Sequence, residues 1–310
     1  MKPKSILITG ASGFIGSALM AHIQNKKIPC RLSGIGRRVL KQIRAFDLCD
    51  QKALKKFLLN QKPQYIFHLA GGRKTDDQKT FESNFTTTKI LFQAICEIPG
   101  YRPRVLIPGT AAEYGPVSKT SLKVDETTFP RPASWYGFVK YMQTSYGLMH
   151  AKRGMDIVVA RMFNILGAGV PSTLVIGRFA QELAAIERGE QKPIIQTQRL
   201  NTKRDFLDIG DVCEALLGIM SHGKSGELYN ICSGRLYEIG ELLKQMIRLS
   251  TVKGIVVKED KDLSSESFDI SGSNKKLKRA MTWSPHVSMK DSLKSTLDFY
   301  RNPFHAHQVS

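Results

Sequence analysis

Tyr136 and Lys140 are the residues of this 310-residue chain whose types and spacing point most directly to chemistry. They stand four apart in an apolar-periodic run over about 134–153, which predicts a helix with both side chains on one face. Lys140 is then expected beneath the Tyr136 ring, about one turn away. An ammonium beside a phenol favours its ionised form and draws a reference pKa of about 10 toward working pH. A tyrosine tuned this way exchanges a proton with a substrate oxygen. Thr110, just past an apolar run at 104–107, offers a hydroxyl to the same oxygen, although alone it reads as a turn former. A Tyr–Lys pair at this spacing also arises on solvated helix faces, so the surrounding elements decide.

Residues 4–9 (KSILIT) read as a buried parallel strand. They run into Gly10-Ala11-Ser12-Gly13-Phe14-Ile15-Gly16 and a helical pattern to about 26. Glycines at a strand-to-helix turn let the backbone approach a pyrophosphate, held by free N–H groups and the helix dipole. The spacing is GxxGxxG, and its context of strand before and helix after supports it. The next strand, 30–35, leads through Gly36 to Arg37 and Arg38 with no acid to hold ribose hydroxyls. Arginines there suit the extra phosphate of NADP, so NADP(H) is favoured over NAD(H). Further strands are expected at 43–48, ending in Asp47-Leu48, at 65–70, ending in Leu69-Ala70 before Gly71, and at 104–107 and 156–161. Helices fall near 51–59 and over 77–97, the latter carrying Asn84.

This alternation predicts an α/β fold, a Rossmann-type doubly wound parallel sheet with a smaller C-terminal α/β substrate lobe. The dinucleotide domain is drawn at 1–166, with later segments such as 205–233 returning to it, and 167–310 as mainly the substrate lobe. In that half helices are expected at 173–188, 211–222, 239–249 and 290–300, a strand at 227–231, and a frayed tail at 304–310.

Composition sets the outer bounds. Hydrophobic content of 42% is that of an ordinary globular protein, and no apolar run approaches the length of a membrane span. Five scattered cysteines without metal spacing read as buried thiols in a reducing cytoplasm, with no metal site. The net charge of +19 raises affinity for polyanions. The basic residues form no long run and no nucleic-acid motif, so a basic surface or a small phosphorylated ligand accounts for them and no nucleic-acid partner is expected.

Four elements in order, TGASGFIG at 9–16, the Thr110 loop, Tyr136/Lys140, and Arg161-Met162-Phe163-Asn164, resemble the extended short-chain dehydrogenase/reductase family. Its members act on nucleotide-activated sugars, and the likeness covers nearly the whole chain. Within it the chain looks most like the GDP-4-keto-6-deoxy-D-mannose reductases, through GTAAEYG at 109–115, RDFLDIGDV at 204–212 and GELYNICSGR at 226–235. The resemblance implies Thr110, Tyr136 and Lys140 as the catalytic set, with Lys140 also holding the nicotinamide ribose. It places Gly10, Ser12, Gly13, Phe14, Ile15, Gly16, Arg37, Asp47, Leu48, Leu69, Ala70 and Gly71 along the cofactor. On the substrate side it implies Glu113, Asn164, Arg178, Arg204 and Lys275. A homodimer through two helices per subunit is expected by the same analogy.

One departure bears on the reaction. Family dehydratases carry an acid two residues after the threonine; here that position is Ala112, and Glu113 follows one place later. Net reduction of a 4-keto sugar nucleotide by NADPH is therefore expected. A 4-epimerase with tightly bound NAD is the alternative, and a non-catalytic NADP-binding sensor the remote one.

Overall fold

The run KSILIT forms strand β1 (Lys4–Thr9), buried from Ser5 onward, in a computed structural model that describes residues 4–39, 42–117, 123–260 and 269–302. The other strands are β2 (Cys30–Gly36), β3 (Ile43–Ala45), β4 (Tyr65–His68), β5 (Arg104–Thr110), β6 (Lys123–Val124), β7 (Asp156–Met162) and β8 (Asn164–Leu166). They continue as β9 (Ile194–Gln198), β10 (Lys203–Arg204), β11 (Phe206–Asp208), β12 (Leu228–Ile231), β13 (Tyr237–Glu238), β14 (Val256–Asp260) and β15 (Ser271–Gly272). Seven of them build one parallel sheet in the order β12-β7-β5-β4-β1-β2-β3. The chain leaves β1 first toward β2 and β3, then returns to add β4 and β5 on the other side. That reversal beside β1 is the switch point where such sheets open a crevice at the carboxyl ends of their strands.

Helices α1 (Phe14–Asn25), α2 (Gln51–Gln61), α3 (Asp77–Phe81), α4 (Thr87–Cys96), α5 (Trp135–Lys152), α6 (Val175–Glu187) and α7 (Ile209–His222) cover the sheet or lead away from it. The last three are α8 (Ile239–Leu249), α9 (Lys275–Ala280) and α10 (Met289–Arg301). Both sheet faces are buried. Leu19, Ile23, Leu216 and Ile219 of α1 and α7 pack on Ile6, Ile8 and Val158; Leu54, Leu58, Leu91 and Phe92 of α2 and α4 pack on Leu7, Ile66 and Val105. This two-sided burial is why the strands read as near-continuous apolar runs. A separate core joins α6, α8 and α10 through Phe179, Leu183, Leu242, Met246, Leu293 and Leu297.

Several sequence expectations are corrected. The helix expected over 77–97 is α3 and α4 joined by one π turn, Glu82–Thr86, which turns the Asn84 side chain inward. Strand β3 stops at Ala45, so Asp47 and Leu48 lie in the loop after it: Asp47 Oδ1 accepts the Cys49 N–H (2.9 Å), and Leu48 packs on the core. Strand β5 runs on to Thr110 instead of ending at Ile107, because Gly109 and Thr110 keep pairing with Arg161 and Met162 of β7. Of the five thiols only Cys213 and Cys232 are buried; Cys49 and Cys96 are exposed. The tail expected at 304–310 lies outside the described residues. No helix among the described residues is long and apolar enough to cross a membrane.

Candidate active site

The glycine turn is shaped by contact. Gly10 has φ +67°, and a Cβ there would lie 2.7 Å from the Ala70 nitrogen and the Leu69 carbonyl. A Cβ at Gly16 would lie 2.2 Å from the Gly10 carbonyl oxygen. Only glycine lets β1, the turn and α1 come this close. Gly13 is the N-cap of α1 and offers no side-chain cap, and the first turn holds no acid, so its N–H groups stay available to an anion. Phe14 and Ile15 pack against the core below, while Ser12 approaches Gly36 at the end of β2. Arg37 and Arg38 follow, exposed. Lys74 stands near Arg37; burial, then the Arg37 charge, lower its pKa. On the opposite side, the Leu69 N–H donates to the Thr9 carbonyl (3.2 Å) and the Ala70 N–H to Thr9 Oγ1 (3.2 Å). The turn beyond Gly71 is held by Asn84, which accepts the Gly72 N–H and donates to the Gly72 carbonyl, both at 2.9 Å. The cradle is thus one that added Cβ atoms would fill, as a dinucleotide pyrophosphate requires.

Ser134 caps α5, its hydroxyl accepting the Gly137 N–H (3.1 Å), and so sets Tyr136 in the first turn. The Tyr136 phenol lies near the Thr110 hydroxyl, close enough for Thr110 to lower its pKa against the larger effect of burial. Thr110 itself caps the short turn Ala111–Glu113: its Oγ1 accepts the Ala112 N–H (3.4 Å), and its own N–H donates to Glu113 Oε1 (2.7 Å). Glu113 Oε2 accepts from Arg161 at 2.6 and 3.2 Å, and the Arg161 guanidinium lies 4.5 Å from the Tyr114 ring centroid.

Two sequence expectations change here. Glu113, expected on the substrate side, is 0% exposed and spent on Thr110 and Arg161, so it braces the Thr110 loop instead. The Tyr136 phenol is not drawn down. Burial, then the Glu113 charge, push it up to about 12, against the lowering effects of the Thr110 side chain and the Arg73 charge. Lys140 is brought down to about 8 by burial, with Glu113 opposing. Its ammonium donates to Gln143 Oε1. Desolvation is the largest cause of both shifts. The phenol therefore stays protonated through the neutral range, the state of a proton donor.

On the substrate side, the Asn164 N–H and side-chain amide both donate to the Asp205 carbonyl (3.1 and 3.0 Å). The buried Asp205 carboxylate accepts from Ser233 N–H (2.8 Å), Ser233 Oγ (2.6 Å), Gly234 N–H (2.9 Å) and Gly272 N–H (3.1 Å). It ties the Ser233–Gly234 turn and β15 to the segment that carries Arg204. Arg204 is half-buried, and burial lowers its pKa, Asp269 opposing and the Arg199 charge adding. Arg178 stands apart in a cleft of about 390 Å³ with Gln196, Thr197, Gln198, Lys258, Glu259 and Asp260, donating to Thr197 Oγ1 (3.2 Å). Lys275 is exposed at the start of α9. Its neighbours are committed elsewhere, Asn274 to the Cys232 carbonyl (2.9 Å) and Lys276 to Glu227 (2.5 Å). Among the described residues one set could ligate a metal, Asp211, Glu214 and His286. There Asp211 already accepts the His286 and Val287 N–H groups and approaches His286 Nδ1 at 2.7 Å.

Sequence reasoning missed Gln143, His68, Arg73 and Lys74. Gln143 was within reach, because i+3 from Lys140 and i+7 from Tyr136 is the same helix face.

A doubly wound sheet with this glycine turn and a Thr–Tyr–Lys cluster at its strand ends defines a dinucleotide-dependent oxidoreductase. The chain belongs to the NAD dependent epimerase/dehydratase family, whose model matches residues 6–232. It is 29% identical over 299 residues to a GDP-6-deoxy-D-mannose reductase of Pseudomonas aeruginosa, covering 94% of this chain and 95% of that one. It is 26% identical to a GDP-6-deoxy-D-talose 4-dehydrogenase of Aggregatibacter actinomycetemcomitans, over 79% of this chain and 80% of that one. The structure of RMD from Pseudomonas aeruginosa complexed with NADPH superimposes with a TM-score of 0.88 at 28% identity, covering 97% and 99% of the two chains. The chain is thus a nucleotide-sugar-modifying enzyme of oxidoreductase type that works with a nicotinamide dinucleotide.

Proposed function

We propose that the chain reduces the C4 ketone of a nucleotide-activated 4-keto-6-deoxy sugar with NADPH, and specifically converts GDP-4-keto-6-deoxy-D-mannose to GDP-D-rhamnose. The observation that carries this is the Tyr136 phenol, held protonated by burial and set near Thr110 at the carboxyl end of β5. When bound, the reduced nicotinamide supplies hydride to the carbonyl carbon. Tyr136 donates its proton to the alkoxide that forms, and Thr110 donates a hydrogen bond to the same oxygen, acting where charge develops. Lys140 holds positive charge beneath them and holds the nicotinamide ribose. Dehydration is disfavoured, because Ala112 has no acid and Glu113 is sealed against Arg161.

In this reading Gly10, Ser12, Gly13 and Gly16 hold the pyrophosphate over Phe14 and Ile15. Arg37 meets the 2′-phosphate, Asp47 and Leu48 the adenine, and Leu69, Ala70 and Gly71 line the nicotinamide half. Asn164 and Arg204 hold the sugar diphosphate, with Arg178 and Lys275 toward the base. The NADPH preference is supported by the absence of an acid from Ser33 to Arg38 and by the NADPH-bound relative. A homodimer forms through α4 and α5, where Trp135, Phe138 and Met149 are exposed. The test is loss of NADPH absorbance with GDP-4-keto-6-deoxymannose made in place by a dehydratase, and NADH in parallel. A GDP-rhamnose product supports the reading. Interconversion of two sugar nucleotides with no reductant consumed makes the chain an epimerase instead.

A further inference from the structure

We propose that Gln143 is the residue that positions the Lys140 ammonium, and that a buried hydrogen-bond chain leading back to the turn after β4 fixes which way its amide points. The role rests on the reading that Lys140 belongs to the reacting cluster; the orientation does not. Gln143 lies between a group that can only donate, the Lys140 ammonium, and one that can only accept, the Asn84 carbonyl. Its Nε2 therefore donates to the Asn84 carbonyl (3.1 Å) and to Thr88 Oγ1 (2.6 Å), and its Oε1 is left to accept from Lys140.

The next bonds follow without a spare proton. The Thr88 hydroxyl donates to the Asn84 carbonyl (2.7 Å), so its oxygen is an acceptor for both Gln143 and His68 Nε2 (3.1 Å). His68 then carries its proton on Nε2, and Nδ1 accepts from the Thr9 hydroxyl (2.9 Å). The Thr9 oxygen in turn accepts the Ala70 N–H (3.2 Å). Burial, then the Lys140 charge, pull His68 down to about 3, so it stays a neutral, single tautomer. Thr9, His68, Asn84, Thr88 and Gln143 are each 0% exposed. Asn84 also grips Gly72 from both sides. The catalytic lysine and the turn that carries Ala70 and Gly71 thus share one rigid frame.

Lys140 is 3% exposed, so its ammonium needs a fixed acceptor in place of water. A carbonyl accepting from an ammonium favours the charged form. The charged or titratable groups that face Lys140 are Glu113 with its partner Arg161 and neutral His68; Tyr136 lies one turn away on its own helix, and Arg73 in the turn after β4 acts on Tyr136. Glu113 is held by Arg161 and Thr110, which leaves the direct bond to Lys140 with Gln143.

Two variants separate positioning from packing. Gln143→Met keeps the volume and removes the acceptor; Gln143→Glu keeps the shape and strengthens the acceptor, and both give up the two amide donor bonds to Asn84 and Thr88. The Lys140 titration is followed through its side-chain carbon signal in the free enzyme with isotope-labelled lysine, the signal being the one absent from Lys140→Met. The midpoint is expected to fall by about one pH unit in Gln143→Met and to rise by about one in Gln143→Glu, the worth of one charge-assisted hydrogen bond. A packing role would lower the unfolding temperature in both without moving the midpoints apart. An unmoved midpoint, or movement in the same direction, overturns the proposal. Should Gln143→Met fail to fold, the absence of a rise in Gln143→Glu does so alone. The titration needs neither cofactor nor sugar, so a failure to reduce any sugar nucleotide leaves it standing, and an unmoved midpoint leaves the reductase reading standing.

Discussion

Arg161→Met removes the partner of a carboxylate that has no route to water. Glu113 is 0% exposed and Arg161 2% exposed, and Glu113 Oε2 receives two guanidinium bonds at 2.6 and 3.2 Å. Breaking one side of such a pair leaves an uncompensated buried charge and costs about 3–5 kcal/mol. Against the roughly 5–15 kcal/mol that holds a domain folded, that is a large fraction. The lost contact with the Tyr114 ring falls in the same direction. Because Glu113 Oε1 accepts the Thr110 N–H, the loop that presents the Thr110 hydroxyl loosens too, and turnover falls with stability. Adding Glu113→Gln removes the buried charge while keeping an acceptor for that N–H. The double variant should therefore regain most of the lost stability. Urea unfolding of parent, single and double variants measures this, with the slope of each curve checked for constancy. A loss below about 1 kcal/mol in Arg161→Met, the range of an exposed ion pair, would mean that the pair does not hold a buried charge.

Other perturbations follow from the same geometry. Lys140 titrates near 8 and Tyr136 near 12, so kcat/KM for NADPH-dependent reduction should be level below pH 8 and fall above it as the ammonium is lost. A pH profile rising through that range contradicts it. Arg37→Asp should raise the KM for NADPH about 10- to 100-fold, the worth of a charge-assisted contact, and leave that for NADH equal or lower; initial rates with both cofactors decide. Phe138→Glu places charge on the exposed face of α5 and should convert the proposed dimer to a monomer by light scattering, without changing the sheet's unfolding temperature by more than a few degrees.

Much of the dinucleotide half was legible because it is built from local rules. Apolar runs of four to eight residues gave the sheet strands, and glycines whose Cβ would strike backbone marked the turn. Tyr136 and Lys140 fell on one face because helix spacing leaves no choice. What failed was electrostatic or long-range. Glu113 looks like a free acid in sequence, and Arg161, forty-eight residues away, removes it. Lys140 next to Tyr136 suggested a lowered phenol pKa, but desolvation depends on what the fold packs over both. The π turn at Glu82–Thr86 has no composition signal, yet it brings the Asn84 side chain to Gly72. Pairings such as Asp205 with the Ser233, Gly234 and Gly272 loops exist only once distant segments meet.

In the proposed reduction Tyr136 delivers the proton. Tyr136→Phe removes one oxygen from a helix fixed by the Ser134 cap and by core contacts on its other face, so NADPH binding should survive. Steady-state reduction of GDP-4-keto-6-deoxymannose, with NADPH affinity read from its fluorescence, should show turnover lowered by about 10²- to 10⁴-fold at unchanged affinity. Turnover at the parent rate with NADPH still bound would mean that Tyr136 is not the proton donor.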